Sequence, residues 1–256
     1  MEATITEKML RVESPPMADW LEFFLAVRVH VLVRFGMWDE LKQLPIPQDQ
    51  ELYCVTTVMT HYGKGVAYAA TSDLENADAE RTLFMKAAQR VPSSRTDYPN
   101  KISDVLKVAQ AMLDSELEYR RGNYSTAFHS LREAIRHEDA LQYTEPWGWM
   151  VPSRHAYGAL SLEQGLVEQA RQAYAEDLGT EKVLTRAHQH PKNIWALQGY
   201  HECLKRLDQL EEASAIEADL VQAQASADIA IASSCFCRIG KEGSSASAKS
   251  CSGLSS

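Results

Sequence analysis

Apolar positions recur at intervals of three and four along most of this chain, the period of helices packed on one face. Residues 1–18 are polar and close on Ser14-Pro15-Pro16, which breaks any helix there. From Asp19, read as an N-cap, to Arg34 the pattern is helical and apolar nearly all round. Gly36 interrupts it, and Trp38, Leu41 and Leu44 continue on a second helix that Pro45 and Pro47 end. A long helix is expected over Glu51 to Ala70, with Tyr53, Val55, Val58, Tyr62 and Val66 on a wide face. After a break at Thr71-Ser72-Asp73, Leu74, Ala77, Leu83 and Phe84 mark its partner. Val91 to Asn100, with Pro92 and Pro99, reads as a loop before a helix from about Ile102 to Arg121.

The stretch Leu113 to Leu178 gives two further hairpins, broken at Gly122-Asn123-Tyr124 and Gly165-Leu166-Val167 and joined by YTEPWGWMVPSR. Three hairpins place a small residue twelve positions before an alanine: Gly65 and Ala77, Ser115 and Ala127, Gly158 and Ala170. The break residue sits seven after the first of each pair, at Ser72, Gly122 and Gly165. Small residues facing alanine across a break allow two helices to cross closely. A fourth, looser unit starts near Gly199, with Asp208 where a glycine is expected and Ala213 fourteen positions on. Ala223 to Ala232 extends its last helix or adds another, and from Gly240 the residues are small and polar with almost nothing to bury. The domain expectation is a polar segment at 1–18, a helical repeat domain at 19–232 and a disordered tail at 233–256.

Composition narrows the function classes. The 256 residues are 45% hydrophobic and 24% charged, ordinary values for a water-facing globular chain, and the net charge is −9. An acidic balance of that size argues against nucleic acid or an anionic membrane as partner. Leu21 to Phe35, the most apolar run, contains Glu22, Arg28, His30 and Arg34 and is too short and charged to span a bilayer. The N-terminus MEATITEKML lacks the basic start and apolar core of a signal peptide. The five cysteines are unevenly placed, with no disulfide framework or zinc spacing. A cytoplasmic protein is expected.

Gly65-x-x-Tyr68 with Ala77, Gly158 with Ala170 and Tyr174, and Trp195-x-x-x-Gly199 resemble the small and aromatic positions of the tetratricopeptide repeat. The proline that usually ends each repeat is mostly missing, and the linkers exceed those of a strict array of about 34 residues. LVRFGMWDEL, GVAYAAT, EPWGWMVPSRHAYGALSLEQG, AYAEDL and NIWALQG resemble the C-terminal half of a bacterial and fungal subgroup of that family, over roughly Val27 to Ala232. The resemblance implies a helical binding scaffold and brings no enzymatic activity. Longer members carry repeats before the RFG-x-W-D segment, so the N-terminal layer here is expected to need a cap or partner. GTEKVLTRAHQH, between Leu178 and Pro191, departs from the family as an insertion.

Candidate chemistry concentrates in the linker. Tyr143, Trp147, Trp149 and Tyr157 with Arg154 form the densest aromatic and cationic group, able to line a recess in which Arg154 grips a carboxylate. The competing reading is a linker shaped by Pro146 and Pro152 whose tryptophans pack over the hairpin. Glu176 and Asp177 point about 100° apart on a helix and cannot easily flank one reacting atom; pairing with Arg154 or Arg171 is their commoner fate. His188, His190 and His201 lack a metal motif and read as solvated, and Cys235-x-Cys237 alone is a weak signal. No nucleophile with a placed base and no phosphate loop is found, so no catalytic, cofactor or metal residues are assigned.

The expectation is therefore an all-α fold, a right-handed α-solenoid of hairpins like those of the tetratricopeptide repeat. Such a scaffold binds a protein or peptide partner or assembles with itself. Binding residues are expected among Tyr143, Trp147, Trp149, Arg154, Tyr157, Glu176 and Trp195. The alternative is a small-molecule-binding accessory protein, or an unrecognised enzyme of specialised metabolism, with its recess around Trp147, Trp149 and Arg154.

Overall fold

The computed structural model describes residues 4–238. The fold is all-α apart from one two-residue ladder. Two short helices, α1 (Glu7–Leu10) and α2 (Met17–Leu21), precede five helix pairs. These are α3 (Val27–Arg34) with α4 (Trp38–Gln43), α5 (Cys54–Ala70) with α6 (Leu74–Ala88), and α7 (Ile102–Arg120) with α8 (Tyr124–Asp139). They are followed by α9 (Ser153–Glu163) with α10 (Val167–Leu178), and α11 (Ile194–Arg206) with α12 (Leu210–Ala225).

One turn is used five times. Gly36, Ser72, Gly122, Gly165 and Asp208 all adopt positive φ, between 56° and 81°. After each, the next amide donates to the carbonyl five residues back: Met37 to Leu32, Asp73 to Tyr68, Asn123 to Glu118, Leu166 to Ser161 and Gln209 to Leu204, at 2.8–2.9 Å. This is the Schellman arrangement, which satisfies carbonyls that a helix end leaves unpaired. The second helix of each pair begins two residues after the turn residue. Five residues after it lies Leu41, Ala77, Ala127, Ala170 or Ala213, each at most 3% exposed. Measured from its turn, the fourth unit is thus fully in phase; the shift lies in its first helix.

The glycines expected to face these alanines face larger side chains instead. A Cβ on Gly65 would meet Leu113 at 2.8 Å, in the following pair. A Cβ on Gly158 or on Gly199 would meet the Tyr174 ring at 2.3 Å, so that ring is clasped between α9 and α11. The small residues admit a neighbour's bulk as well as drawing two helices together.

Each pair packs on the next, through α5 with α7, α8 with α9, and α10 with α11. The apolar core divides along α9. Ala159 and Leu160 belong to the larger cluster, while Leu162 joins a smaller one built with α10, α11 and α12. The expected helix from Asp19 to Arg34 is broken into α2, a tight 3₁₀ segment at Glu22–Ala26 and α3. The break lets Glu22, 0% exposed, accept hydrogen bonds from the amides of Val55 and Thr56 at 3.0 and 2.7 Å. Burial raises its pKa against those hydrogen bonds. Glu22 thereby caps α5, which starts at Cys54 rather than at Glu51. Asp19 lies inside α2, and Leu10 in the nominally polar first segment is buried.

Two irregular links position the recess. In the first, β1 (Thr96–Asp97) pairs antiparallel with β2 (Asn100–Lys101). The Asn100 amide then holds the backbone of Gln142 through two 2.8 Å hydrogen bonds. Thr144 donates to Asp97 at 3.0 Å, a carboxyl that burial pushes up to about 6 against that hydrogen bond. Beyond α10, residues 179–193 fold back so that one ring nitrogen of His188 reaches the Leu141 carbonyl at 2.8 Å.

After α12 the described residues, 226–238, form no further helix. The tail expected from 233 begins differently: Ser234 and Cys237 are 1% and 5% exposed. The remainder of that tail, including the polar run from Gly240, lies outside the described residues.

Candidate functional site: a closed recess and a strapped groove

The 140–152 linker, the end of α8 and residues 188–190 line a small recess. Tyr143, Trp147, Trp149 and Arg154 line it together with Glu138, Asp177, His188 and His190. The space they leave is about 30 Å³, room for one or two water molecules. Trp149 is a core residue, 2% exposed, edge-on to His30 and Tyr62 at 4.7 and 5.3 Å between ring centroids. Trp147 lies at the rim, with its ring 4.5 Å from that of His190. The exposed Tyr143 hydroxyl donates to Glu145.

Arg154 does not present an open fork to a carboxylate ligand. It is 5% exposed and donates to both oxygens of Asp139 at 2.6 and 2.9 Å, and to Glu176 at 3.0 Å. Burial opposes its charge, but the two carboxylates outweigh that and raise its pKa. Glu176 lies behind Arg154 and also accepts from Gln172. Tyr157 points elsewhere, packing edge-on against Phe128 at 5.7 Å. Trp195 belongs to the groove described below.

Beside the recess runs a buried polar chain assembled across the pairs. An Arg34 Nη1–H donates to His155 Nδ1 at 3.1 Å. Because a guanidinium only donates, the His155 proton sits on Nε2, which faces Asp177 at 2.9 Å. The other Asp177 oxygen receives His190 Nδ1 at 2.8 Å. Burial disfavours the Asp177 charge, yet the two histidines outweigh it and hold the carboxyl well below the usual range. Burial lowers His155, which Asp177 only partly offsets. At His190 the Asp177 hydrogen bond and charge overcome burial and raise the pKa. Burial also raises Glu138 to about 7, opposed by hydrogen bonds from Ser153.

His188 and His190 are thus not the solvated loop histidines expected; each is held by a partner. Among the described residues no three His, Cys, Asp or Glu side chains are grouped to hold a metal ion. Nothing in the sequence spacing marks Arg34, His155 and Asp177 as neighbours, since they come from α3, α9 and α10.

On the other side of α9 lies a groove. Arg34 lines it from α3, Tyr62 and Val66 from α5, Met112 and Glu116 from α7, and Ala156 from α9, first helices of their pairs, together with Trp38 of α4 and Val151 of the linker. Residues 233–238 cross it as a strap. Arg34 donates to the Ser234 carbonyl at 3.3 Å, and Arg120 donates to the Cys237 carbonyl. The Ser234 hydroxyl donates to the His155 carbonyl at 2.8 Å and accepts from Tyr174 at 2.5 Å. Phe236 lies against Gly36 and 6.1 Å from the Trp195 ring, which in turn is stacked by Arg34 at 4.9 Å. Arg238 forms a two-pronged pair with Glu202 at 2.7 and 2.8 Å. Cys235 and Cys237 are joined by a disulfide, contrary to the expected lack of pairing, whereas Cys54 and Cys203 are free and buried.

Compared with family models, with curated proteins and with solved structures, the chain matches none of them. Among the described residues no helix is long and apolar enough to cross a membrane.

Proposed function

We propose that this chain is an interaction module: a right-handed α-solenoid of helical pairs, similar to tetratricopeptide repeats, whose inner groove takes a peptide segment of a protein partner. The observation that carries this reading is the strap. A stretch without regular structure already lies across the first helices, with two of its carbonyls held by Arg34 and Arg120. Side chains that grip main-chain carbonyls recognise a peptide as such, whatever its sequence. The fivefold recurrence of one turn, with a buried small or apolar residue at a fixed offset, supports the repeat architecture. A net charge of −9 favours a protein partner over nucleic acid. The small-molecule alternative draws less support, because Arg154 is saturated by carboxylates and the recess has room for little more than water.

Panning a displayed peptide library against the full chain tests the proposal. Binders are expected whose affinity falls at least tenfold with Ala156→Glu, in a protein that circular dichroism shows to be folded. Binders indifferent to that change would remove the groove from consideration.

A further inference from the structure

Three side chains of the strap meet groups of matching chemistry. Ser234 is 1% exposed, and its hydroxyl is satisfied by the His155 carbonyl and the Tyr174 hydroxyl together. A buried hydroxyl with both roles filled discriminates strongly against residues that cannot reproduce them. Two residues on, Phe236 fills the hollow over Gly36, where an added Cβ would come within 2.8–2.9 Å of the ring. Two further on, Arg238 takes the bidentate geometry that a carboxylate offers to arginine, at Glu202.

The attachment of the strap permits it to leave. Among the described residues, none from Asp228 to Ser233 makes a backbone–backbone hydrogen bond, and 228–230 are exposed. Release therefore leaves α12, ending at Ala225, intact. About 30 Å³ of space remains between the strap, Tyr62, Met112 and Glu116.

We infer that residues 233–238 compete in cis for the partner's groove. The partner that displaces them presents a small hydroxyl residue, an aromatic two positions later and an arginine two after that. This rests on the peptide-binding reading above. A tethered segment acts at an effective concentration of about millimolar for a short flexible linker. A free peptide making the same contacts is therefore held off until the tethered one is weakened.

The test uses the full chain and a fluorescein-labelled peptide of residues 231–238 with its cysteines bonded. In Phe236→Ala/Arg238→Glu the peptide is expected to bind at least tenfold more tightly than to the unaltered chain. Adding Glu202→Arg should abolish that gain. A folded double variant with no gain overturns the inference. Should the double variant fail to fold, hydrogen exchange of the unaltered chain decides. Amides of 234–238 exchanging well ahead of those in α9 support a strap that opens; exchange at the same rate shows it fixed in the fold and overturns the inference. Library-selected groove binders with equal affinity for both chains would defeat the competing strap while leaving the peptide-binding reading intact. Absence of any groove-dependent binder to either chain would defeat that reading itself.

Discussion

The recess and the groove lie on either side of α9 and use similar residue types to opposite ends. In the recess, Arg154 is consumed by Asp139 and Glu176, and His190 by Asp177. In the groove, Arg34, Arg120 and Glu202 also bond His155, Glu116 and Arg206, yet meet a segment that is the chain's own and is tied to the rest by a link without backbone pairing. Aromatic and charged residues concentrated in one stretch of sequence turned inward and closed a junction. Residues scattered from 34 to 202 came together around the strap. Local density of reactive side chains is thus a poor guide here, because a long linker between hairpins has to satisfy its own polar groups.

The contrast fails if substitutions in the two regions behave alike. The largest effect is expected from Gly158→Val. Its side chain would collide with the Tyr174 ring, which Gly199 blocks from behind. Thermal melting should show Tm lowered by about 10 °C, since overpacking of this kind costs about 3 kcal/mol or more. Arg154→Ala should come next. It leaves two partly buried carboxylates without their partner, at about 3 kcal/mol by denaturant titration. An arginine held ready for a ligand would instead leave stability unchanged.

A smaller effect is expected from pH. Glu138 is raised from 4.5 to about 7, so its contribution to stability is full below the lower value and is lost as pH rises to the upper one. His190, raised by Asp177, acts in the same direction, losing its contribution as pH rises through its folded pKa. Asp177 is depressed, so its contribution holds above its unfolded value of about 4 and disappears below it. The contributions of these three groups are therefore all present near about pH 4–4.5, and their sum declines as pH rises toward 7. Glu138→Gln should flatten the fall toward pH 8, raising Tm there by about 4 °C. A variant with the same pH profile as the parent would dismiss Glu138 as its source. The smallest change is expected from Trp147→Ala at the rim: under about 1 kcal/mol, with no effect on peptide binding. A loss of peptide affinity in that variant would reopen the recess as a site.

The helical pairs were legible because their signal is local. Ser72, Gly122 and Gly165 punctuate the apolar period, and all three adopt the left-handed conformation that such breaks need. The offset of Ala77, Ala127 and Ala170 was legible too, although its cause was not. Sequence spacing could not show that Gly158 and Gly199 admit one tyrosine from between them. Of the seven expected binding residues, Tyr143, Trp147, Trp149 and Arg154 do line one recess, while Trp195 flanks the strap and Tyr157 and Glu176 line neither space. Arg34 looked like a charge interrupting an apolar run, and His155 like one more helix residue. Their pairing spans 121 positions, beyond any periodicity argument. Ser234 and Phe236 sit where composition suggests a tail, and only the groove gives them a role.

The repeated turn also fixes where this chain can change length. From the left-handed residue, the second helix always starts two positions on and the buried small residue lies five positions on. One residue inserted there would rotate every following contact by about 100° and turn the packed face toward water. The links at 89–101, 140–152 and 179–193 carry no such register. They differ freely in content, one holding a β ladder and another the tryptophans. Growth between pairs leaves each pair's gearing untouched, although the 140–152 link reaches the groove itself through Val151.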